Sequence, residues 1–264
     1  MDGFFLVRKE KGISSNGVVQ EVKRKFNFKK VGHLGTLDPL ATGLLIVAVN
    51  KATKFSSYFL NEIKAYSAEV TLGKTSDTDD AEGNILNVTT DLPDSKKVIL
   101  SLNSFLGESL QKAPFYSALK HKGKPLYKYA RDGELIEKPS RKINIMDISN
   151  ICYQEPLLEF DIMWENGNYI MSLARDMWNL LNCGGHLSKL KRTQQGCFKI
   201  KNSNLIKDLS VNHIISIESA FPQFNSINLD ESEEKIYKNG GRVDSIRGNK
   251  EISKIYSFSN KFMG

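Results

Sequence analysis

The clearest pattern along the chain is a change of hydrophobic period. Gly3–Val7 (GFFLV) reads as a strand, and Leu44–Val49 (LLIVAV) is a continuous apolar run, as expected of a buried strand. Tyr66, Ala68, Val70 and Leu72 alternate with Ser67, Glu69 and Thr71, which predicts a strand with one face in the core. Between these runs the period becomes helical. Ser14-Ser15-Asn16 offer N-cap side chains for a helix to about Phe26, with Val18, Val19 and Val22 on its apolar face. Ile170, Leu173, Ala174, Met177 and Leu181 mark a second helix, and the pattern predicts shorter ones over Ala52–Leu60, Val98–Leu106 and Leu126–Asp132. Ile143–Ile151 and Leu157–Met163 read as strands, with a further strand-like piece at Phe198 and Ile200, while Thr75–Asn84 reads as an acidic loop. Strands and helices do not alternate strictly, and successive strands can pair as hairpins. The expected fold is α+β, with a mixed, mainly antiparallel sheet and flanking helices.

A shift of composition near 208–225 divides the chain into a main domain over 1–210 and a short β-rich region over 211–264. The 264 residues are 40% hydrophobic and 25% charged, ordinary values for a globular protein. Cys152, Cys183 and Cys197 form no CxxC pair, which fits a reducing compartment. No apolar run is long enough to span a membrane, and the start has the wrong charge order for a signal peptide. These features predict a cytoplasmic protein.

The net charge of +7 is unevenly spread. Residues 1–54 carry ten Lys and Arg against four acids, 111–142 nine against three, and 184–207 six against none. Residues 74–95 carry one Lys and six acids. The basic segments are either separate solvated faces or one surface that tracks a phosphate backbone.

Generic catalytic motifs are missing. Gly73-Lys74-Thr75 looks like the end of a P-loop, but the required upstream glycine is Ala68. There is no GxGxxG after a strand and no GxSxG elbow, and His33, His121, His186 and His213 are isolated. The unusual segment is Val31–Gly43, VGHLGTLDPLATG. Its glycines permit close backbone approach, and Pro39 stiffens the turn and pushes Asp38 into an extended conformation. Asp38 is then either a turn cap or a reactive carboxylate on a rigid loop.

At these residues the chain resembles the bacterial tRNA pseudouridine synthase B (TruB) family. The likeness rests on GHLGTLDPLATGLLIVAVNKATKF and on KGISSN (Lys11–Asn16), KAYSAEVTLGKTSDTDDAEG (Lys64–Gly83) and FYSALKHKGKPLYKYARDG (Phe115–Gly133). NGNYIMSLARDM (Asn166–Met177) and CGGHLSKLKRT (Cys183–Thr193) follow in the same order. The resemblance implies isomerisation of the T-arm uridine of tRNA, conventional position 55, to pseudouridine. The N-glycosidic bond breaks, the uracil turns, and a C–C bond forms to the same ribose, with no cofactor, nucleotide or metal. The target base must be flipped into a pocket.

Residue by residue, the resemblance makes Asp38 the catalytic aspartate and Tyr66 the active-site tyrosine that stacks on the uracil. It makes Leu190 an apolar pocket residue and gives His33 the space left by flipped bases. Lys9, Tyr116, Ser117 and Lys120 are expected near substrate, Asp80 in the acidic loop, and Lys191 with Arg192 as a basic pair on RNA. Whether Asp38 attacks the sugar or the base, or assists cleavage by proton transfer, stays open. The expected partner is the tRNA T-arm, bound by a monomer with no membrane or nucleotide cofactor. Residues 211–264 resemble an abbreviated PUA-like RNA-binding domain.

One departure bears on chemistry. The family pattern YIR, whose arginine pairs with the catalytic aspartate, is here Tyr169-Ile170-Met171. A methionine cannot neutralise a carboxylate. The chain is then an impaired catalyst, or Arg175 at i+4 compensates, or another basic residue does. The competing reading is a non-catalytic tRNA-binding protein on the same fold.

Overall fold

The computed structural model describes residues 1–117, 119–165, 169–243, 246 and 251–264, leaving out the side chain of Leu60. The main-sheet strands and principal helices are β1 (Gly3–Lys9), α1 (Ser15–Phe26), β2 (Thr42–Val49), β3 (Lys64–Leu72), α2 (Ser95–Asn103), β4 (Gly107–Gln111), β5 (Arg141–Gln154), β6 (Leu157–Trp164), α3 (Ile170–Leu181) and β7 (Gly185–Gln195). The sheet runs β1-β2-β7-β3-β6-β5-β4, with Val31–His33 added on β2 and Phe198–Lys199 on β7. Neighbours are antiparallel except β2 and β7, which meet in a short parallel pairing at Thr42–Lys191 and Gly43–Arg192. The α+β fold with a mixed, mainly antiparallel sheet is the observed one.

The two hydrophobic periods have a direct cause. β2 is buried on both faces: Leu45, Val47 and Val49 join one core cluster, and Leu44, Ile46 and Ala48 another. The first core packs Val18 and Val22 of α1, Val98 and Leu102 of α2, and the apolar face of α3 onto the sheet. The second is aromatic, with Phe4, Phe59, Phe198 and Phe221. β3 turns Tyr66, Ala68, Val70 and Leu72 to the first core, while Ser67 and the ion-paired Glu69 line a groove on its other face. Helix α1 starts at Ser14, whose hydroxyl accepts from Gly17 N at 3.0 Å. Lys23, Arg24 and Lys25 occupy its last turn, where cations favour the helix dipole.

Several boundaries differ from expectation. The helix near residue 100 is Ser95–Asn103, and Ala52–Leu60 divides into a 3₁₀ turn (Asn50–Phe55) and a short α-helix (Ser56–Leu60). The acidic loop is bracketed by a hairpin pairing Lys74–Ser76 with Ile85–Asn87. β7, between β2 and β3 in the sheet, has no strand-like pattern in the sequence. A register shift between Leu187 and Lys189 breaks its alternation, and one of its inward residues is an arginine.

The packing of the main body continues past residue 210. Ile215 bridges to Phe4, and Phe221 stacks on Phe224 at 5.2 Å inside the aromatic core. Beyond it, Asn225–Asn228 pairs in parallel with Ser253–Tyr256, and helix Glu231–Lys238 lies between them in sequence. This segment has its own small core of Leu229, Val243 and Ile255.

Candidate active site

The loop carrying Asp38 is held by hydrogen bonds at almost every residue. Gln195 Nε2 donates to Leu34 O at 2.6 Å. Arg192 donates to Gly35 O at 3.2 Å and to Thr36 O at 2.8 Å. The buried hydroxyl of Ser15 accepts from Leu37 N at 2.7 Å and donates to Leu37 O at 2.8 Å. Gly12 N and Lys9 Nζ both donate to Pro39 O, at 2.8 and 3.3 Å. A backbone so fully satisfied has little freedom to move. Gly43 closes the loop at φ +102°, where a Cβ would lie 2.3 Å from Arg192 O. Glycine is required there both by the dihedral and by the approach of β7.

Asp38 faces a cavity of about 200 Å³ lined also by Leu37, Tyr66, Tyr116, Ser117, Trp164, Tyr169, Met171, Leu190 and Arg192. Tyr66 stands against Trp164 with ring centroids 5.2 Å apart, and it belongs both to the core and to this wall. Asp38 is open to solvent at the rim, yet its carboxyl lies above the usual carboxylate range. Partial burial and Asp80 push it up, while Lys9 and Arg192 pull it down. Asp80 is itself buried, accepting from Thr78 Oγ1 at 2.7 Å and from Glu82 N at 2.9 Å.

The expected site residues are only partly brought together. Asp38, Tyr66, Tyr116, Ser117, Leu190 and Met171 converge on the cavity. The pair Lys191 and Arg192 is split by the strand alternation. Lys191 is exposed, whereas Arg192 is 2% exposed and points to the cavity, so it is not a surface contact to RNA. Lys9, expected near substrate, is 1% exposed and holds the Asp38 loop instead. Burial lowers its pKa to about 8. His33 is half-buried at the end of the short strand Val31–His33, its Nδ1 without a hydrogen-bond partner and its pKa lowered by burial and by Arg192. Lys120 is exposed on a two-residue strand outside the cavity lining. Part of the Asn166–Met177 block, Asn166 to Asn168, and Ala118 of the Phe115–Gly133 block lie outside the described residues.

Arg175 does not reach Asp38. Its guanidinium pairs with Asp79 at 3.4 Å and Asp176 at 3.3 Å and donates to Lys112 O at 3.0 Å. Two residues not anticipated in the site are Ser15 and Gln195. Ser15 reads in the sequence as one of three N-cap candidates and Gln195 carries no expectation; only the return of the loop against them gives them a task.

Two of the basic segments meet beside the site. Arg8, Lys9, Lys11, Lys191 and Lys201 line one groove of about 580 Å³. Lys11 and Lys191 also line an adjoining groove of about 540 Å³ that is mixed in charge, with Lys189 paired to Glu69 and with Glu159 and Asp161 in its wall. Among the described residues no cluster of His, Cys, Asp or Glu could hold a metal, and no helix is long and apolar enough to cross a membrane.

Residues 23–170, more than half of the chain, match the model of the TruB family pseudouridylate synthase N-terminal domain. The chain belongs to the TruB family. Among similar TruB sequences, tRNA pseudouridine synthase B of Francisella philomiragia is 40% identical over 252 residues, covering 91% of this chain and 83% of that protein. The Clostridium novyi protein of the same name is 39% identical over 273 residues, covering all of this chain and 94% of the relative. The TruB chain also superposes on a chain from the crystal structure of a Cbf5–Nop10–Gar1 complex with a TM-score of 0.72. That match has 24% identity and covers 98% of this chain and 76% of that one, and it speaks for the fold.

Proposed function

We propose that this chain is a tRNA pseudouridine synthase that isomerises the T-arm uridine, acting as a cytoplasmic monomer without cofactor. The observation that carries this reading is the convergence of Asp38, Tyr66 and Leu190 on one small cavity. At about 200 Å³ it lies below the roughly 300–1,000 Å³ of typical small-molecule sites, a size suited to one flipped base. Its aromatic and aliphatic side chains, Tyr66, Trp164, Tyr169 and Leu190, offer stacking and apolar contact.

In this reading Asp38 acts as the ionised carboxylate on the sugar–base unit. The C1′–N1 bond breaks, the uracil rotates within the apolar wall, and a C1′–C5 bond forms. The C5 proton is lost and N1 ends protonated, so no atom is gained or lost overall. Tyr66 stacks on the base, its hydroxyl held by Arg192, and Leu190 packs beside it. The basic groove lined by Arg8, Lys11, Lys191 and Lys201 supplies phosphate contacts. Within the C-terminal region 211–264, the first part packs into the catalytic body, and the segment with its own small core of Leu229, Val243 and Ile255 serves as a PUA-like RNA-binding extension. The test is pseudouridine formation in a T-arm stem-loop, read by mass spectrometry or by reverse-transcription stops after carbodiimide labelling. A folded chain that binds this RNA but never modifies it is the outcome expected of a non-catalytic RNA-binding protein.

A further inference from the structure

Asp38 needs a compensating cation, and the cavity wall offers few. Met171 is 6% exposed and lines the cavity with an uncharged side chain. Arg175 is spent on Asp79, Asp176 and Lys112 O. Lys9 lies behind the loop, bonded to Glu10 O and Pro39 O, and burial weakens its hold on a proton.

Arg192 is different. It shares the cavity lining with Asp38, is 2% exposed and presents a guanidinium, a donor-only cationic group. Its hydrogen-bond acceptors are Tyr66 Oη, Gln195 Oε1 and the carbonyls of Gly35, Thr36 and Leu44. All of these are neutral. A buried guanidinium with five dipolar partners and no carboxylate among them is satisfied in geometry but not cancelled in charge. Two of those partners belong to the residues just before Asp38, so the same side chain that presents the charge also sets the position of the loop. The titratable groups that bear on Asp38 are Asp80, Lys9 and Arg192, and Glu82 feels the same cluster.

We propose that Arg192 is the positioning and charge-compensating residue for Asp38 in this chain. The inference rests on the reading of Asp38 as the reacting carboxylate. Loss of the guanidinium removes the cation and releases the Gly35–Thr36 backbone together. Lysine at this position restores the charge but not the fork of hydrogen bonds.

The experiment is an NMR titration of the full-length protein labelled with ¹³C at aspartate carboxyls, with Asp38 assigned from Asp38→Asn. In Arg192→Gln the Asp38 midpoint moves to higher pH. In Arg192→Lys it stays near the parent value, and in Arg175→Gln it does not move. The turnover number falls about 10²-fold in Arg192→Gln, as when one preorganised electrostatic donor is removed, with a smaller change in KM. An unmoved midpoint in folded Arg192→Gln, or an equal shift in Arg175→Gln, overturns the proposal. If Arg192→Gln does not fold, Met171→Arg decides. An already compensated Asp38 gains less than about 10-fold in kcat/KM from a second cation, one order being about 1.4 kcal/mol, and a larger gain overturns the proposal. The titration needs no substrate. The predicted shifts without any pseudouridine product would count against the proposed function and not against this inference.

Discussion

The hydroxyl of Tyr66 accepts a hydrogen bond from Nε of Arg192 at 3.1 Å, and the guanidinium carbon lies 5.4 Å from the centre of the same ring. The two residues are opposite each other on adjacent central strands. Their contact links the stacking platform of the cavity to the loop that carries Asp38. Tyr66→Phe keeps the ring but leaves a buried N–H unpaired. It should cost about 1–3 kcal/mol of stability, measured by thermal or urea unfolding, with RNA affinity nearly unchanged. A fully stable Tyr66→Phe protein would show that this bond is not needed to satisfy Arg192.

Ser15 ties the loop from the other side, through both backbone groups of Leu37. Ser15→Ala leaves two buried backbone groups without partners. Urea unfolding should report a loss of roughly 1–3 kcal/mol. Steady-state kinetics should show kcat falling more than KM rises, because the change displaces Asp38 rather than the RNA surface.

Gly43 is where β7 comes closest to the loop. Gly43→Ala combines a positive φ with a 2.3 Å clash on Arg192 O. We expect at least about 3 kcal/mol of destabilisation or failure to accumulate as soluble protein. A Tm within a few degrees of the parent would contradict this reading of the β2–β7 approach.

The pH dependence of stability has a defined sign at Asp79. Burial raises its pKa from 3.8 to about 6, against the pull of Arg175. The folded state therefore binds the Asp79 proton more tightly than the unfolded state. Its contribution is fully present below pH 3.8 and is lost as pH rises through about 6. In Asp79→Asn this downward component of the urea midpoint between pH 4 and pH 6 should vanish. An unchanged pH profile in that variant would exclude Asp79 as its source.

Lys191 and Arg192 should separate cleanly in RNA binding. Lys191 is exposed in both grooves, so Lys191→Ala weakens binding of a T-arm stem-loop and lowers the slope of log K against log salt by about 1. Arg192→Lys should leave the slope unchanged, since that side chain is buried. Filter binding over a salt series distinguishes the two.

Much of the fold was legible because its periods follow from burial. The run Leu44–Val49 is apolar throughout because both faces of β2 are covered, and Tyr66–Leu72 alternates because only one face of β3 turns to the first core. β7 was not legible: a bulge interrupts its period, and at Arg192 its core-facing position is a charge that only the fold can satisfy. The candidate site was readable at Asp38, Tyr66 and Leu190 through motif resemblance. The tasks of Lys9, Ser15 and Gln195 depend on where the loop returns in space, which local patterning does not encode. Adjacent Lys and Arg at 191 and 192 read as one basic pair, although strand geometry sends neighbours to opposite faces.

The most direct measurement of the central claim is single-turnover pseudouridine formation in a T-arm stem-loop by the parent chain and by Asp38→Asn. We expect product from the parent, with a rate that falls as pH drops through the raised Asp38 pKa, because the carboxylate must be ionised. We expect none from Asp38→Asn, with RNA binding retained. Product formed equally well by Asp38→Asn, or no product from a parent chain that binds the RNA, would contradict the account.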